Sequence, residues 1–296
     1  MPDRIELLSV SLLDSERERI KELKHLARRL KLEFGWHYLL DISWILSLID
    51  QISNRKIIDA GAGTGVIQWY LAENGAEVIS VDRESRENLA AKFRRRFDVE
   101  GLRPEDLNSD SAVSGSAGIS LKSVAADWVD QFRMSLGNYS NGKNSAAGKI
   151  FIYNQDLTKL LDIDDETIDK VVAVSSLEHN SPEGLKRVVA ELMRVLKPGG
   201  KLIATLGASR DEDWFHEPSQ GWCYSEDTLR SIFQISSDTQ SNFAEYDPLM
   251  GKLIANKELK DNLASFYFNS GDNGMPWGEW KPEYQTVGVC KVNSEA

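Results

Sequence analysis

Apolar residues recur at helical spacing between residues 14 and 33, where Ile20, Leu23, Leu26, Ala27 and Leu30 form one stripe among Glu, Arg and Lys. The spacing predicts an amphipathic helix that Gly35 ends. From Trp36 to Ile52 the chain is apolar nearly throughout and carries Trp36, His37, Tyr38 and Trp44. A second helix, packed on a sheet, is expected there.

Short apolar runs then alternate with helical stretches. Strands are expected at Lys56 to Asp59, Glu77 to Val81, Ile150 to Tyr153, Lys170 to Val174 and Lys201 to Leu206. Helices are expected at Gly65 to Ala72, Glu84 to Phe97 and Pro182 to Leu196, the last stopped by Pro198-Gly199-Gly200. This rhythm predicts an α/β fold with a Rossmann-like, doubly wound and mostly parallel sheet. Ser265 to Asn269 and Thr286 to Val292 read as late strands that form an antiparallel C-terminal edge. Ser225 is placed to cap a short helix running to about Gln234.

Residues 98–148 interrupt the rhythm with Ser, Asn, Gly and Asp, and with one weak helical stretch from Leu121 to Leu136. They read as an insertion, either a passive surface elaboration or a cover for substrate. The division expected is a single domain over residues 1–296. Residues 1–53 form a helical cap, 54–209 the core with its insertion, and 210–296 an acceptor-binding region.

Composition narrows the function. The formal net charge of −11 disfavours polyphosphate partners, so nucleic acid is not expected. Arg94-Arg95-Arg96 is a local exception that reads as a solvated helix face. Cys223 and Cys290 fit no ligand spacing, and a reducing cytoplasm suits them. No apolar run is long enough to span a membrane, and the N-terminus does not read as a signal peptide. His, Cys, Asp and Glu show no metal-ligand cluster, so no metal is expected.

The chemistry gathers at Asp59-Ala60-Gly61-Ala62-Gly63-Thr64-Gly65, between a strand and a helix. Three glycines two residues apart allow a tight turn and close approach of a ligand to the backbone. A dinucleotide fingerprint places its last glycine one residue later. The carboxylate of Asp59 would repel a pyrophosphate and welcome an ammonium or a sulfonium. Asp82, ending the second strand, can accept both hydroxyls of a ribose. Asp156, after the third strand, can accept from an exocyclic amino group, although Asp also favours plain turns.

These pieces resemble the class I S-adenosylmethionine-dependent methyltransferase family. The matching segments, in the family's order, are Ile57 to Gly65, Val81-Asp82, Gln155-Asp156-Leu157, Val174 to His179 and Leu192 to Gly200. The resemblance implies that Gly61, Ala62, Gly63 and Gly65 hold the methionine part of the cofactor, with Asp59 near its amino group. It implies Asp82 and the adjacent Arg83 at the ribose, Asp156 and Leu157 at adenine, and Ser175 lining the pocket.

Methyl transfer needs chiefly orientation of donor and acceptor, plus a base where the acceptor loses a proton. His179 follows the fourth strand and is one candidate base; with Glu178 it equally suits a loop-orienting role. His216 is the other, in an aromatic loop where Trp214, Phe215, Trp222 and Tyr224 either wall an acceptor pocket or pack the loop. His37 reads as a core or interface histidine. The fourth strand lacks the Asn/Asp-Pro-Pro-aromatic tetrad of amino-methylating nucleic-acid enzymes. The acceptor is therefore expected to be a small molecule, a sugar or a lipid-linked intermediate. The competing readings are a nicotinamide-dependent oxidoreductase and a non-catalytic scaffold of the same fold.

Overall fold

The computed structural model describes residues 2–108, 147–264, 275 and 279–294. The expected helix over Leu121–Leu136 and the expected strand over Ser265–Asn269 lie outside these residues.

A short strand β1 (Arg4–Leu7) opens the chain and is followed by α1 (Leu12–Ser15), α2 (Arg17–Leu30) and α3 (Tyr38–Ser47). The core follows with β2 (Lys56–Ala60), α4 (Val66–Glu73), β3 (Glu77–Asp82), α5 (Ala91–Arg94), β4 (Asp98–Gly101), β5 (Lys149–Asn154) and β6 (Ile168–Val174). After these come α6 (Pro182–Val195), β7 (Leu196–Ala208), β8 (Trp214–His216), β9 (Gly221–Tyr224) and α7 (Glu226–Phe233). The chain closes through α8 (Tyr246–Ile254), α9 (Lys257–Asp261) and β10 (Gln285–Val292).

The sheet runs in the order β1-β10-β7-β6-β2-β3-β5-β4. Strands β2 to β7 pair in parallel, and β10 lies antiparallel to β7. The mostly parallel, doubly wound expectation is met, with one change. The antiparallel β10 is not the edge, because β1 pairs outside it, Arg4 opposite Cys290 and Leu7 opposite Val287. The other end carries a second unexpected strand, β4, so the insertion starts after residue 101 rather than at 98.

The expected helix over Glu84–Phe97 is mostly absent; only Ala91–Arg94 is helical. Side chains have claimed its first backbone donors. Asp82 Oδ1 accepts from Glu84 N at 2.9 Å, and Asn154 Oδ1 accepts from Arg86 N at 3.0 Å. Such local bonds compete with helix formation.

Two helical layers sandwich the sheet. The apolar stripe of α2, Ile20 to Leu30, is buried with α3 and α4 on one face. Leu185, Val188 and Leu192 of α6 and Leu229 and Phe233 of α7 cover the other. Each large side chain so buried contributes roughly 1.5–3 kcal/mol. Trp44 shows how closely α3 approaches: a Cβ on Gly288 would stand 2.5 Å from its indole, so β10 needs glycine there. The indole N–H also donates to Glu6 on β1 at 2.8 Å.

The parallel strands end at one rim of the sheet. The chain proceeds from β2 toward β3 and β5 on one side and returns to β6 and β7 on the other. The strand order therefore reverses between β2 and β6, where open α/β sheets bind ligands.

Candidate active site at the switch point

The last residues of β2 and β6 form the two banks of this crevice. Beyond Ala60 the chain turns through Gly61 (φ 72°) and Gly63 (φ 46°) before entering α4. The turn is pinned by backbone bonds from Gly61 N and Ala62 N to Val81 O, at 2.9 and 3.0 Å. On the opposite bank, Ser176 donates its hydroxyl to Ala60 O at 2.6 Å. A Cβ at Gly61 would lie 2.5 Å from Ser176 Cβ, so both the left-handed backbone and the near contact require glycine.

Asp59 sits under this turn, 2% exposed. Its Oδ2 is buried and has no hydrogen-bond partner among the described residues. Burial pushes the carboxyl up to about 7, against the pull of Arg86 and with a smaller push from Asp82. An orphaned carboxylate oxygen below a glycine turn suits a cation presented by a ligand.

Asp82 stands at the end of β3, partly exposed, and fixes the loop. Its Oδ2 accepts from Gly63 N at 2.8 Å. Asp156 reaches the same rim because Gln155 N bonds Asp82 O at 2.8 Å. Asp156 Oδ1 accepts from both the amide and the hydroxyl of Thr158, at 2.7 and 2.6 Å, which holds its carboxyl below the usual range. The turn role and the rim position thus coexist in one residue. Leu157 beside it is half-buried, and Arg83 is exposed, close enough to Asp156 to favour its charge. Ser175 follows β6 with φ 46°, and its hydroxyl donates to Glu178. The structure therefore brings Asp59, the glycine turn, Asp82, Arg83, Asp156, Leu157 and Ser175 to one edge of the sheet.

A buried scaffold behind the loop was not visible in the sequence. The Arg86 guanidinium, 8% exposed, donates to Gly63 O at 3.3 Å, to Ser80 O at 2.7 Å and to Tyr153 O at 3.2 Å. Gln68 donates to Gly65 O at 3.1 Å and accepts from the Ser80 hydroxyl at 2.7 Å. Nothing in Glu84–Phe97 distinguishes Arg86 from a solvated arginine, because the residue turns inward only where the expected helix fails.

The two candidate bases differ. His179 is exposed, and its Nδ1 lies 2.9 Å from the carbonyl of Gln220. A carbonyl only accepts, so Nδ1 carries the proton and Nε2 holds the lone pair of the neutral ring. His216 is 2% exposed, with Nδ1 2.7 Å from the Ser219 hydroxyl and Nε2 3.3 Å from Glu283. Burial lowers its pKa, although Glu283 opposes this. Both of its nitrogens are engaged.

The aromatic residues of this region do not form one wall. Strand alternation turns Trp214 toward the α3 face and sends Trp222 and Tyr224 to the other. Tyr224 is fully buried, and its hydroxyl donates to Asn180 O at 2.5 Å. His37 is buried and bonded to Asp41, as a core histidine would be. In the Arg94–Arg96 run, Arg94 donates to the carbonyls of Asn108 and Glu87, Arg96 pairs with Glu73, and Arg95 is exposed.

A family model described as a methyltransferase domain matches residues 124–204, which include β5, β6, α6 and most of β7. The matched stretch is 81 of the 296 residues, about a quarter of the chain. The match begins downstream of the glycine turn, which the sheet nevertheless sets against its β6 bank. No curated protein matches the chain.

Several solved structures are similar at low identity. A SAM-dependent methyltransferase from Aquifex aeolicus is 17% identical over 73% of this chain and 85% of its own, with a TM-score of 0.36. The Burkholderia thailandensis 1,6-didemethyltoxoflavin-N1-methyltransferase, solved with its substrate and S-adenosylhomocysteine, is 12% identical over 96% of this chain and 85% of its own (TM-score 0.43). The 4+2 cyclase SpnF is 15% identical over 99% of both chains, with a TM-score of 0.45.

Proposed function

We propose that this chain is an S-adenosylmethionine-dependent methyltransferase that acts on a small-molecule acceptor and holds its cofactor at the β2–β6 switch point. The observation that carries the cofactor placement is the unpartnered, buried Oδ2 of Asp59 beneath a glycine turn, with Asp82 on the neighbouring strand. Asp59 would face the amino group of the methionine part, along the backbone of Gly61, Ala62, Gly63 and Gly65. Asp82, with Arg83 beside it, would take the ribose hydroxyls, and Asp156 with Leu157 the adenine. Ser175 would line the crevice from the β6 side. When bound, the cofactor supplies an activated methyl group on a sulfonium.

The chain's part is to orient donor and acceptor and to keep the reacting centre dry. Where the acceptor must lose a proton, His179 is our choice of base. Among the described residues its Nε2 has no recorded partner, while the Gln220 carbonyl fixes the ring. His216 is better suited to holding the β8–β9 turn, through Ser219 and Glu283.

A small acceptor is favoured by the net charge of −11, which repels polyphosphate chains. The sequence Val174-Ser175-Ser176-Leu177 after β6 also differs from the tetrad of amino-methylating nucleic-acid enzymes. Among the described residues, no helix is long and apolar enough to cross a membrane. Cys223 and Cys290 are buried free thiols, in keeping with a cytoplasmic location.

Asp82→Ala tests the cofactor placement. Losing two charge-assisted hydrogen bonds to a ribose costs about 1–3 kcal/mol of S-adenosylhomocysteine affinity. Calorimetry that finds the affinity unchanged would mean that Asp82 does not hold the ribose.

A further inference from the structure

The face of the sheet under α3 holds polar atoms that its own hydrogen bonds leave unsatisfied. Asp41 is fully buried; its Oδ2 lies 2.6 Å from His37 Nδ1, and its Oδ1 has no partner. Glu178 is 6% exposed; one oxygen accepts from Ser175, and Oε2 has none. Thr286 is fully buried, and its hydroxyl is likewise unpartnered.

We infer that these three groups line one chamber, because α3 packs on both β10 and β6. Burial pushes the Glu178 carboxyl up, and the neighbours that oppose this include His37, which is bonded to Asp41. Residues 37, 41 and 44 recur on one side of α3, while 284, 286 and 288 share one face of β10. The His37 ring lies 6.0 Å from Tyr284, and Trp44 packs on Gly288, so Asp41 stands opposite Thr286. The β9 hairpin closes the side: a Cβ at Gly221 would stand 3.2 Å from Glu178 Cγ. The chamber also adjoins the glycine turn. Ser175 bonds Glu178, and its neighbour Ser176 fills the space beside Gly61.

The chemistry of the chamber is selective. A buried acceptor left unsatisfied costs about 1–3 kcal/mol, and a charged one more. Burial holds Glu178 toward its neutral form, and a cation with several N–H donors would favour its charge and satisfy the orphaned oxygens. An ammonium has three donors, and three oxygens wait. The rings of Trp36 and Tyr284, 5.3 Å apart, border His37 and add surfaces that favour cations.

We propose that this chamber anchors an ammonium group of the acceptor, held by Glu178, Asp41 and Thr286, so that the enzyme acts on a small cationic amine at an atom other than the anchored nitrogen. The proposal rests on the methyltransferase reading, and its test separates the two.

The protein is first titrated with S-adenosylhomocysteine; failure to bind would remove the cofactor placement itself. The loaded protein is then titrated at pH 7 with n-butylamine and with 1-butanol, which differ in the polar group. The amine is expected to bind more tightly by about tenfold. Glu178→Gln, which keeps a partner for Ser175, is expected to abolish that preference and leave butanol binding unchanged. A purely structural role for Glu178 would weaken both probes alike. Asp41→Asn should show the same selective loss and stands in should Glu178→Gln not fold. Cofactor binding without amine preference in the wild type, or equal loss of both probes in the variants, overturns the amine chamber and leaves the cofactor site standing.

Discussion

Asp59 combines the features on which the cofactor placement depends. It is buried without a partner for Oδ2, and its pKa of about 7 is well above the ordinary carboxylate value. A group whose folded pKa is raised binds more protons folded than unfolded, so the fold loses stability as pH rises between the two values. Above pH 7 the ionised carboxylate destabilises the unliganded fold in full; below about pH 4 it contributes nothing. Asp59→Asn is therefore expected to stabilise the unliganded protein at pH 8 by roughly 2–4 kcal/mol, and by far less at pH 4.5. Urea melts of both proteins at the two pH values check this. A variant equally or less stable than wild type at pH 8 would mean that the buried carboxylate has a partner in solution. The same substitution should weaken cofactor binding, since the amide no longer offers charge to an ammonium.

At the scale of elements, hydrophobic periodicity made much of the architecture legible. The stripe Ile20–Leu30 is the buried face of α2, and the runs at Ile57, Val78, Ile150, Val171 and Leu202 became the core strands. Four strands escaped: the short β8 and β9 inside what read as an aromatic loop, and β4 and β1, whose sequences carry little periodic signal. Strand β4, Asp-Val-Glu-Gly, has one apolar residue, a composition that suits a solvated edge. Strand β1 has four residues and finds its partner about 280 positions away, which no local pattern reveals. The Glu84–Phe97 segment misled for a different reason: side chains of Asp82 and Asn154 capture its backbone donors and draw Arg86 inward. The glycine turn and the acids at strand ends were legible because their spacing is chemical. The scaffold of Gln68, Ser80 and Arg86 was not, because it exists only after the sheet assembles. Helix α6 offers a check at this scale. Ser181 caps it by accepting from Gly184 N at 3.2 Å. Ser181→Ala should cost about 1 kcal/mol in a thermal or denaturant melt, with little change in cofactor affinity. A loss under about 0.3 kcal/mol would show the cap to be idle.

Over the whole molecule, the order of strands explains why residues as distant as Asp59, Asp82, Asp156 and Ser175 share one rim. Parallel strands bring their carboxyl ends together, and the reversal between β2 and β6 opens the crevice there. The helical cap adds a second contribution, since α3 lays His37 and Asp41 beside the carboxyl end of β6. Donor and acceptor sites can then be read as neighbours, with Ser175 and Ser176 between them. The central claim is that this crevice takes a sulfonium nucleoside and not a dinucleotide. Calorimetric titration of the intact chain with S-adenosylmethionine, and separately with NAD, tests it most directly. The account predicts saturable one-to-one binding of S-adenosylmethionine and none of NAD. Binding of NAD alone, or of neither, would contradict it.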